Sequence, residues 1–373
     1  MNHQPTPPSR IFLSVINDLS GDQRMHRIAS TLQAAGYDVC LVGRELPESL
    51  PLSERPYRTH RMKLWFRKGK WFYLEYNLRL FLWLLGQKVD LLTANDLDTL
   101  LANYLATRWK KIPLVYDSHE YFTEVPELVY RPRTRAIWLR LERWLFPKLK
   151  HVYTVNGSLA RIYAETYGIP VEVIRNVPVR KATPAPAPPT PILLYQGALN
   201  LGRGIELMIQ AMHHLPAHQL WIVGRGDVET ELREQVNREQ LVERVTFKGF
   251  VPLEELAKIT AQAGLGLSLE EDLGANYRYA SPNKVYDYLQ AGVPVLVSDL
   301  PEMRALVESY QVGRVLPKES RKPEQLAAII RDIFANQAAY RAFQENCGQA
   351  AQELNWEAEQ DKLLTIYRQA LGK

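Results

Sequence analysis

Cysteine is nearly absent. Cys40 and Cys347 are the only two in 373 residues, and no CxxC pair occurs. That excludes a disulfide framework and points to a reducing compartment. No apolar run reaches the ~20 residues of a membrane-spanning helix, and the opening MNHQPTPPSR has neither an apolar stretch nor a cleavage pattern, so a cytoplasmic protein is expected. A strong excess of one charge is also missing: 46 Lys and Arg stand against 41 Asp and Glu, a net +5. Such a balance suits an acidic small ligand or an anionic membrane surface as well as nucleic acid. Nothing else in the chain asks for nucleic acid, and none is expected as a partner. The dinucleotide fingerprint GxGxxG is lacking too, since VGRGD (Val223–Asp227) supplies only two of its glycines, and hydride transfer loses support.

What is present is a repeated alternation. IFLSVIND (Ile11–Asp18), VCLVGR (Val39–Arg44), DLLTAND (Asp90–Asp96), IPLVYDSHE (Ile112–Glu120), HVYTVN and VEVIRNV read as strands with helices among them. KATPAPAPPTP (Lys181–Pro191) then breaks the pattern as a proline-alanine linker. After it the alternation restarts with ILLYQG, QLWIVGRG, VTFKGF, GLGLSL, PVLVSD and GRVL. The expected class is α/β, with two parallel sheets covered on both faces. The expected organisation is a first domain over 1–180, the linker over 181–191, a second domain over 192–354 and a terminal helix within 355–373 that packs back across the boundary or stays apart.

Several polar clusters fall at the expected strand ends. In SPNKVYDYLQAGVPVLVSD (Ser281–Asp299), Ser281 reads as a helix N-cap and Pro282 as the first helical residue. Lys284 then lies in the first turn, where a cation is unfavourable unless an anion shares the site. Asn283, Lys284 and Asp287 share a face: either Lys284 holds a nucleotide diphosphate and Asp287 a ribose, or the pair is a surface ion pair worth a few tenths of a kcal/mol, roughly. GALNLGRGIE (Gly197–Glu206) is a glycine-bearing turn in which Arg203 either meets phosphate oxygens or is solvated.

YDSHEYFTEVPEL (Tyr116–Leu128) gathers Asp117, His119, Glu120 and Glu124, with His119 able to bond a sugar hydroxyl or exchange a proton near neutral pH, or else a capped helix start with solvated acids. In DQRMHR (Asp22–Arg27), Arg24 and Arg27 are expected to face solvent. Asp96-Leu97-Asp98 is formally a DxD, but one acid can simply cap the next helix, and no metal is expected. Leu64–Lys88 mixes aromatics with Arg67, Lys68 and Lys70, which fits a helix packed on the sheet, an anionic membrane surface, or both.

Taken together these motifs resemble the family-4 glycosyltransferases of the GT-B type over nearly the whole chain. SPNKVYDYLQAGVPVLVSD is similar to that family's P-x-K-x-x-E-Y segment, GALNLGRG to its phosphate loop, VGRGD to its V-G-x-G turn, VTFKGFVPLEEL to its V-x-F-x-G segment, and YDSHEYFTEVPEL to an acceptor-side loop. The resemblance implies two Rossmann-like doubly wound domains facing a central cleft. It further implies transfer of a sugar from a nucleotide-diphosphate sugar to the hydroxyl of a saccharide or lipid-linked acceptor, with retention, without metal or cofactor. The setting implied is bacterial surface polysaccharide or glycolipid synthesis, at or near the inner membrane face.

The implied catalytic set is His119, Arg203 and Lys284. Gly197, Gly224, Arg225, Phe250, Ser281, Asn283 and Asp287 join Arg203 and Lys284 around the donor, and Asp22, Arg24, Asp117, His119 and Glu120 form the acceptor side. Three positions depart from the pattern. Ala198 stands where the family has Arg, Asp287 replaces the second Glu of E-x7-E, and Tyr279 replaces the first, leaving Glu270 or Glu271 to serve. These departures keep a non-catalytic nucleotide-sugar-binding protein, or a nucleotide-sugar epimerase on the same fold, as alternatives.

Overall fold

The computed structural model describes residues 7–49, 51–182 and 184–373. They form two compact units, one made of residues up to Asn176 together with Glu359–Lys373, the other of Val177–Ala358. The first unit is built on seven parallel strands: β1 (Arg10–Asp18), β2 (Asp38–Glu45), β3 (Arg58–Lys63), β4 (Leu91–Asn95), β5 (Leu114–Ser118), β6 (His151–Thr154) and β7 (Glu172–Val173), in the order β3-β2-β1-β4-β5-β6-β7. Helices α1 (Gln23–Ala34), α2 (Gly69–Gly86) and α3 (Leu97–Lys110) are among its crossovers. The continuous apolar runs of β1, β2 and β4 are what a parallel sheet covered on both faces requires, and Ile11, Leu13, Val42 and Leu91 are fully buried.

The second unit repeats the plan with six parallel strands: β8 (Ile192–Gln196), β9 (Gln219–Val223), β10 (Val245–Gly249), β11 (Leu265–Ser268), β12 (Val295–Ser298) and β13 (Gly313–Leu316), ordered β10-β9-β8-β11-β12-β13. In both sheets the strand order reverses beside the first strand, between β1 and β4 and between β8 and β11. Open α/β sheets bind ligands outside the carboxyl ends of the strands at that reversal.

The chain changes unit just after Asn176, ahead of the proline-alanine segment, which belongs to the second unit. That segment is not a free spacer: Lys181 N–H donates to Gln290 Oε1 at 3.0 Å and the Thr190 hydroxyl to the Gln262 carbonyl at 2.7 Å. The last helix, Trp356–Ala370, crosses back to the first unit at Glu359. There Glu359 accepts from Arg175 at 3.1 Å, and the buried Tyr367 hydroxyl lies 3.0 Å from Thr93 Oγ1 on β4.

Candidate active site

In the second unit, β8 ends at Gln196 and the chain enters the Gly197–Gly204 turn before the helix Ile205–Ala211. Gly204 has φ +71°, and a Cβ there would lie 2.1 Å from the Leu269 carbonyl oxygen, so only glycine lets this turn rest on the end of β11. Gly224, at φ +139°, packs backbone to backbone on Gly197, where a Cβ would fall 1.9 Å from the Gly197 oxygen. Backbone bonds from Gly197 N to Val223 O and from Gly224 N to Gly249 O, each 2.9 Å, lace the three turns together.

Under these turns sits Glu270, fully buried just past β11. Lys284 Nζ donates to its Oε1 at 2.8 Å, Arg203 Nη1 stands 3.7 Å from the same oxygen, and Ser268 Oγ donates to Oε2 at 2.7 Å. Burial alone would raise the Glu270 pKa; Lys284 first, then Arg203 and Ser268, more than offset it, and the carboxyl titrates below its usual range. Lys284 is lowered, by burial first, with Glu270 opposing and Arg203 adding to the fall. The Lys284 ammonium also stands 4.1 Å from the Tyr195 ring centroid, and the Arg203 guanidinium 5.1 Å from that of Tyr277. The Arg203 side chain is 28% exposed, while its Nε is buried with no hydrogen-bond partner among the described residues. Two cations from separate elements therefore converge on one acid, at the reversal point of the sheet.

The anion that the sequence calls for beside Lys284 is thus Glu270. Neither Asp287 nor solvent takes that place: Lys284 is buried, and Asp287 Oδ2 instead accepts from Gln196 Nε2 at 3.0 Å, with Gln196 anchored by Thr260 at 2.8 Å. The expected cap is displaced as well. The helix begins at Asn283 with Pro282 in the N-cap place, because the Ser281 hydroxyl pairs with Tyr286 Oη at 2.8 Å rather than with the first turn. Glu271 is half-buried and its N–H donates to Gly202 O at 2.8 Å; Asn283 and Arg225 are exposed, and Phe250 is 70% exposed.

In the first unit the polar groups gather at the ends of β4 and β5. Arg24 is only 4% exposed, against the expectation that it faces solvent. Its guanidinium grips the fully buried Asp117 through Nη2 at 2.9 Å and Nε at 3.2 Å, and donates to Ile174 O at 3.1 Å. Arg27 is half-buried and bonds Asn176. Asp22 caps α1 by accepting from Met25 N at 3.0 Å.

His119 is clamped between two acids, Nε2 at 2.9 Å from Asp117 Oδ2 and Nδ1 at 3.3 Å from Asp96 Oδ2, while its N–H donates to Asp96 Oδ1 at 2.8 Å. Burial lowers its pKa, but Asp117 and Asp96 raise it far more, so it stays an imidazolium. The two acids favour the protonated ring, which disfavours proton release near neutral pH. Asp117 is held down at about 2, where Arg24 and His119 outweigh burial. The DxD divides into unlike halves. Asp96 spends its carboxylate on His119 and makes no helix cap, while burial, then Asp96 and Glu120, hold the Asp98 carboxyl well above its usual range. Glu120 offers its carbonyl to Ser118 Oγ at 3.0 Å, and Glu124 pairs with Arg135.

Sequence reasoning missed Ser268, Gln196 and Tyr277 as supports of the site. Their only signal is position near strand ends.

Comparison with known proteins agrees with this architecture. Residues 22–177 match Glycosyltransferase Family 4 and residues 180–354 match Glycosyl transferases group 1. A stretch of 131 residues is 26% identical to the chitobiosyldiphosphodolichol beta-mannosyltransferase of Candida albicans, covering 35% of this chain but only 28% of that protein. Over 298 residues, 76% of this chain and 75% of the other, it is 24% identical to the phosphatidyl-myo-inositol mannosyltransferase of Mycobacterium leprae. The crystal structure of the Anabaena HepE protein in complex with UDP-glucose shares the fold, with a TM-score of 0.73 at 15% identity, over 96% of this chain and 99% of that one. The strand orders, the glycine turns and these matches agree: the chain belongs to the family-4 glycosyltransferases of the GT-B type.

Proposed function

We propose that this chain transfers a sugar from a nucleoside-diphosphate sugar to a hydroxyl of a lipid-linked or saccharide acceptor, with retention of anomeric configuration and without a divalent ion. The observation that carries the reading is the convergence of Lys284 and Arg203 on Glu270 at the β8/β11 reversal. As the sugar leaves, charge builds on the diphosphate, and two fixed cations stabilise it without having to reorganise. Arg203 is the partly exposed member and meets the phosphate oxygens as a planar fork. Lys284 acts from beneath as a point charge held in place by Glu270.

Glu270 has no exposed surface, so the donor sugar's carboxylate contact falls to Glu271, and Asp287, set by Gln196, takes the ribose. Phe250 and the Arg225 turn offer an open face for the base. On the first unit, His119, with both ring nitrogens turned to Asp117 and Asp96, contributes positive charge on the acceptor side rather than removing a hydroxyl proton.

Lipid-linked acceptors are supported by the names of both mannosyltransferase relatives, and a nucleotide-sugar donor by the UDP-glucose held in the Anabaena structure. The setting would be assembly of a bacterial surface polysaccharide or glycolipid at the inner membrane face. Ala198, where the family's phosphate loop has Arg, favours a second reading, a nucleotide-sugar-binding protein without turnover. Incubation with a panel of nucleotide sugars and lipid-extract acceptors in excess EDTA, followed by NMR of the product anomer, separates the two. Product with the donor's configuration supports the transferase; donor binding with no product supports the second reading.

A further inference from the structure

The ladder between β11 and β12 closes where Ser268 pairs with Val297. Leu269 and Glu270 follow, both fully buried, and a buried carbonyl beyond the last pairing needs a donor from elsewhere. One side chain supplies it. Arg321, half-buried and just past β13, donates through Nη2 to the Leu269 carbonyl at 2.8 Å and through Nη1 to the Ser298 hydroxyl at 2.8 Å, with the Glu270 carbonyl at 3.4 Å. Ser298 Oγ in turn donates to the Glu270 carbonyl at 2.7 Å.

The same short segment is also held by the turn that carries Arg203. Gly204 rests on the Leu269 carbonyl, and Glu271 N–H donates to Gly202 O at 2.8 Å. With the backbone on both sides of Glu270 fixed, its carboxylate stays inward on Lys284, and the next side chain, Glu271, is left half-buried beside the phosphate turn. Glu270 keeps its place by its own contacts, since Lys284, Arg203 and Ser268 all meet its carboxylate. For Glu271 the cation at hand is Arg321 itself: burial lowers the Arg321 pKa, while Glu271 first and then Glu270 oppose the fall.

We propose that Arg321 is a positioning residue for the donor sugar: its planar fork fixes the backbone from Leu269 to Glu271 and aims the Glu271 carboxylate at the sugar hydroxyls, setting which sugar is accepted. A cap for two carbonyls would not by itself call for a charge. Half-burying a guanidinium costs desolvation that a neutral donor avoids, and an acid beside it offsets that cost. The inference rests on the donor reading proposed above and deepens it: Arg203 and Lys284 answer for the diphosphate, Arg321 for the sugar.

The test is calorimetric titration of the full chain with UDP, GDP, ADP and TDP, each alone and as its glucose conjugate, with UDP-galactose and GDP-mannose added. Arg321→Ala should weaken binding of the sugar conjugate by about tenfold and of its free diphosphate by less than about twofold, a change of ratio that a general loss of stability would not produce. Arg321→Lys keeps the charge without the fork and should move the same ratio by less, in a variant that folds even where Arg321→Ala does not. Glu271→Gln should reproduce the loss, and Glu271→Gln with Arg321→Ala should lose no more than either change alone. Unchanged conjugate affinity in both Arg321 variants overturns the proposal. So do equal losses for diphosphate and conjugate, or losses that add in the double variant. A wild type that binds none of the four diphosphates overturns the donor reading, and this inference with it.

Discussion

Lys284 and Glu270 form a buried ion pair at 2.8 Å directly under the glycine turns of the second unit. Glu270 offsets part of the burial that pulls the Lys284 pKa down. Glu270→Gln therefore lets Lys284 titrate lower still, and the alkaline limb of kcat/KM moves to lower pH. The variant also loses about 3–5 kcal/mol of stability, the usual cost of removing one partner of a buried pair. A pH–rate profile together with urea unfolding checks both. An unmoved limb would show that Lys284 does not work through Glu270.

The Arg24–Asp117–His119–Asp96 cluster sets a stability profile in pH. The Asp117 pKa lies below its unfolded value of 3.8, at about 2, so its contribution is present above pH 3.8 and fades as pH falls toward 2, about 2 kcal/mol in all. His119 has the opposite sign: raised above 6.5, its contribution is full below that pH and is lost as pH climbs through the raised value. His119→Gln should flatten the alkaline side of the stability curve and, because His119 shares with Arg24 in holding Asp117 down, shrink the acid-side loss in part, as denaturant unfolding at a series of pH values will show.

Glu142, 2% exposed on the helix Pro132–Leu145, accepts from the Tyr167 hydroxyl, and burial pushes its pKa up from 4.5 to about 7. A raised carboxyl pKa means stability that is full below pH 4.5 and drains as pH rises to about 7, about 3 kcal/mol across that window. Glu142→Gln keeps an acceptor for Tyr167 without the charge. It should be more stable than wild type at pH 8 and close to it at pH 5.

Gly204 and Gly36 make a matched contrast. Both have positive φ, +71° and +89°, but a Cβ meets the Leu269 carbonyl at 2.1 Å in the first case and nothing within 4 Å in the second. Gly36→Ala should cost only the backbone strain, on the order of 1 kcal/mol. Gly204→Ala should cost more and also weaken nucleotide affinity, because the turn carrying Arg203 has to lift. Equal losses in the two variants, with affinity intact, would contradict the placement of that turn at the donor site.

The sheets were legible because parallel strands buried on both faces must be apolar throughout, and β8, β11 and β12 of the second unit stand out for that reason. β3 escaped notice: at the sheet edge its RTHRMK buries only Met62 fully, so it has neither an apolar run nor alternation. The pairing partners were less legible than the strands. Arg24 reads as a solvent-facing helical residue, since nothing local reveals Asp117, 93 residues away. Glu270 and Glu271 are adjacent and chemically alike. Only the exit of β11 from its sheet decides that the first is buried under the cations and the second is not.

The account turns on whether Lys284 and Arg203 hold a diphosphate. The direct measurement is the melting-temperature shift with UDP, GDP, ADP and TDP for wild type, Lys284→Ala and Arg203→Ala, where a ligand at one hundred times its Kd adds about 2.7 kcal/mol. The account predicts a shift with one base family in the wild type, lost or much reduced in both variants while Arg203→Ala remains folded. An undiminished shift in Arg203→Ala and Lys284→Ala, or none in the wild type with any of the four, would contradict it.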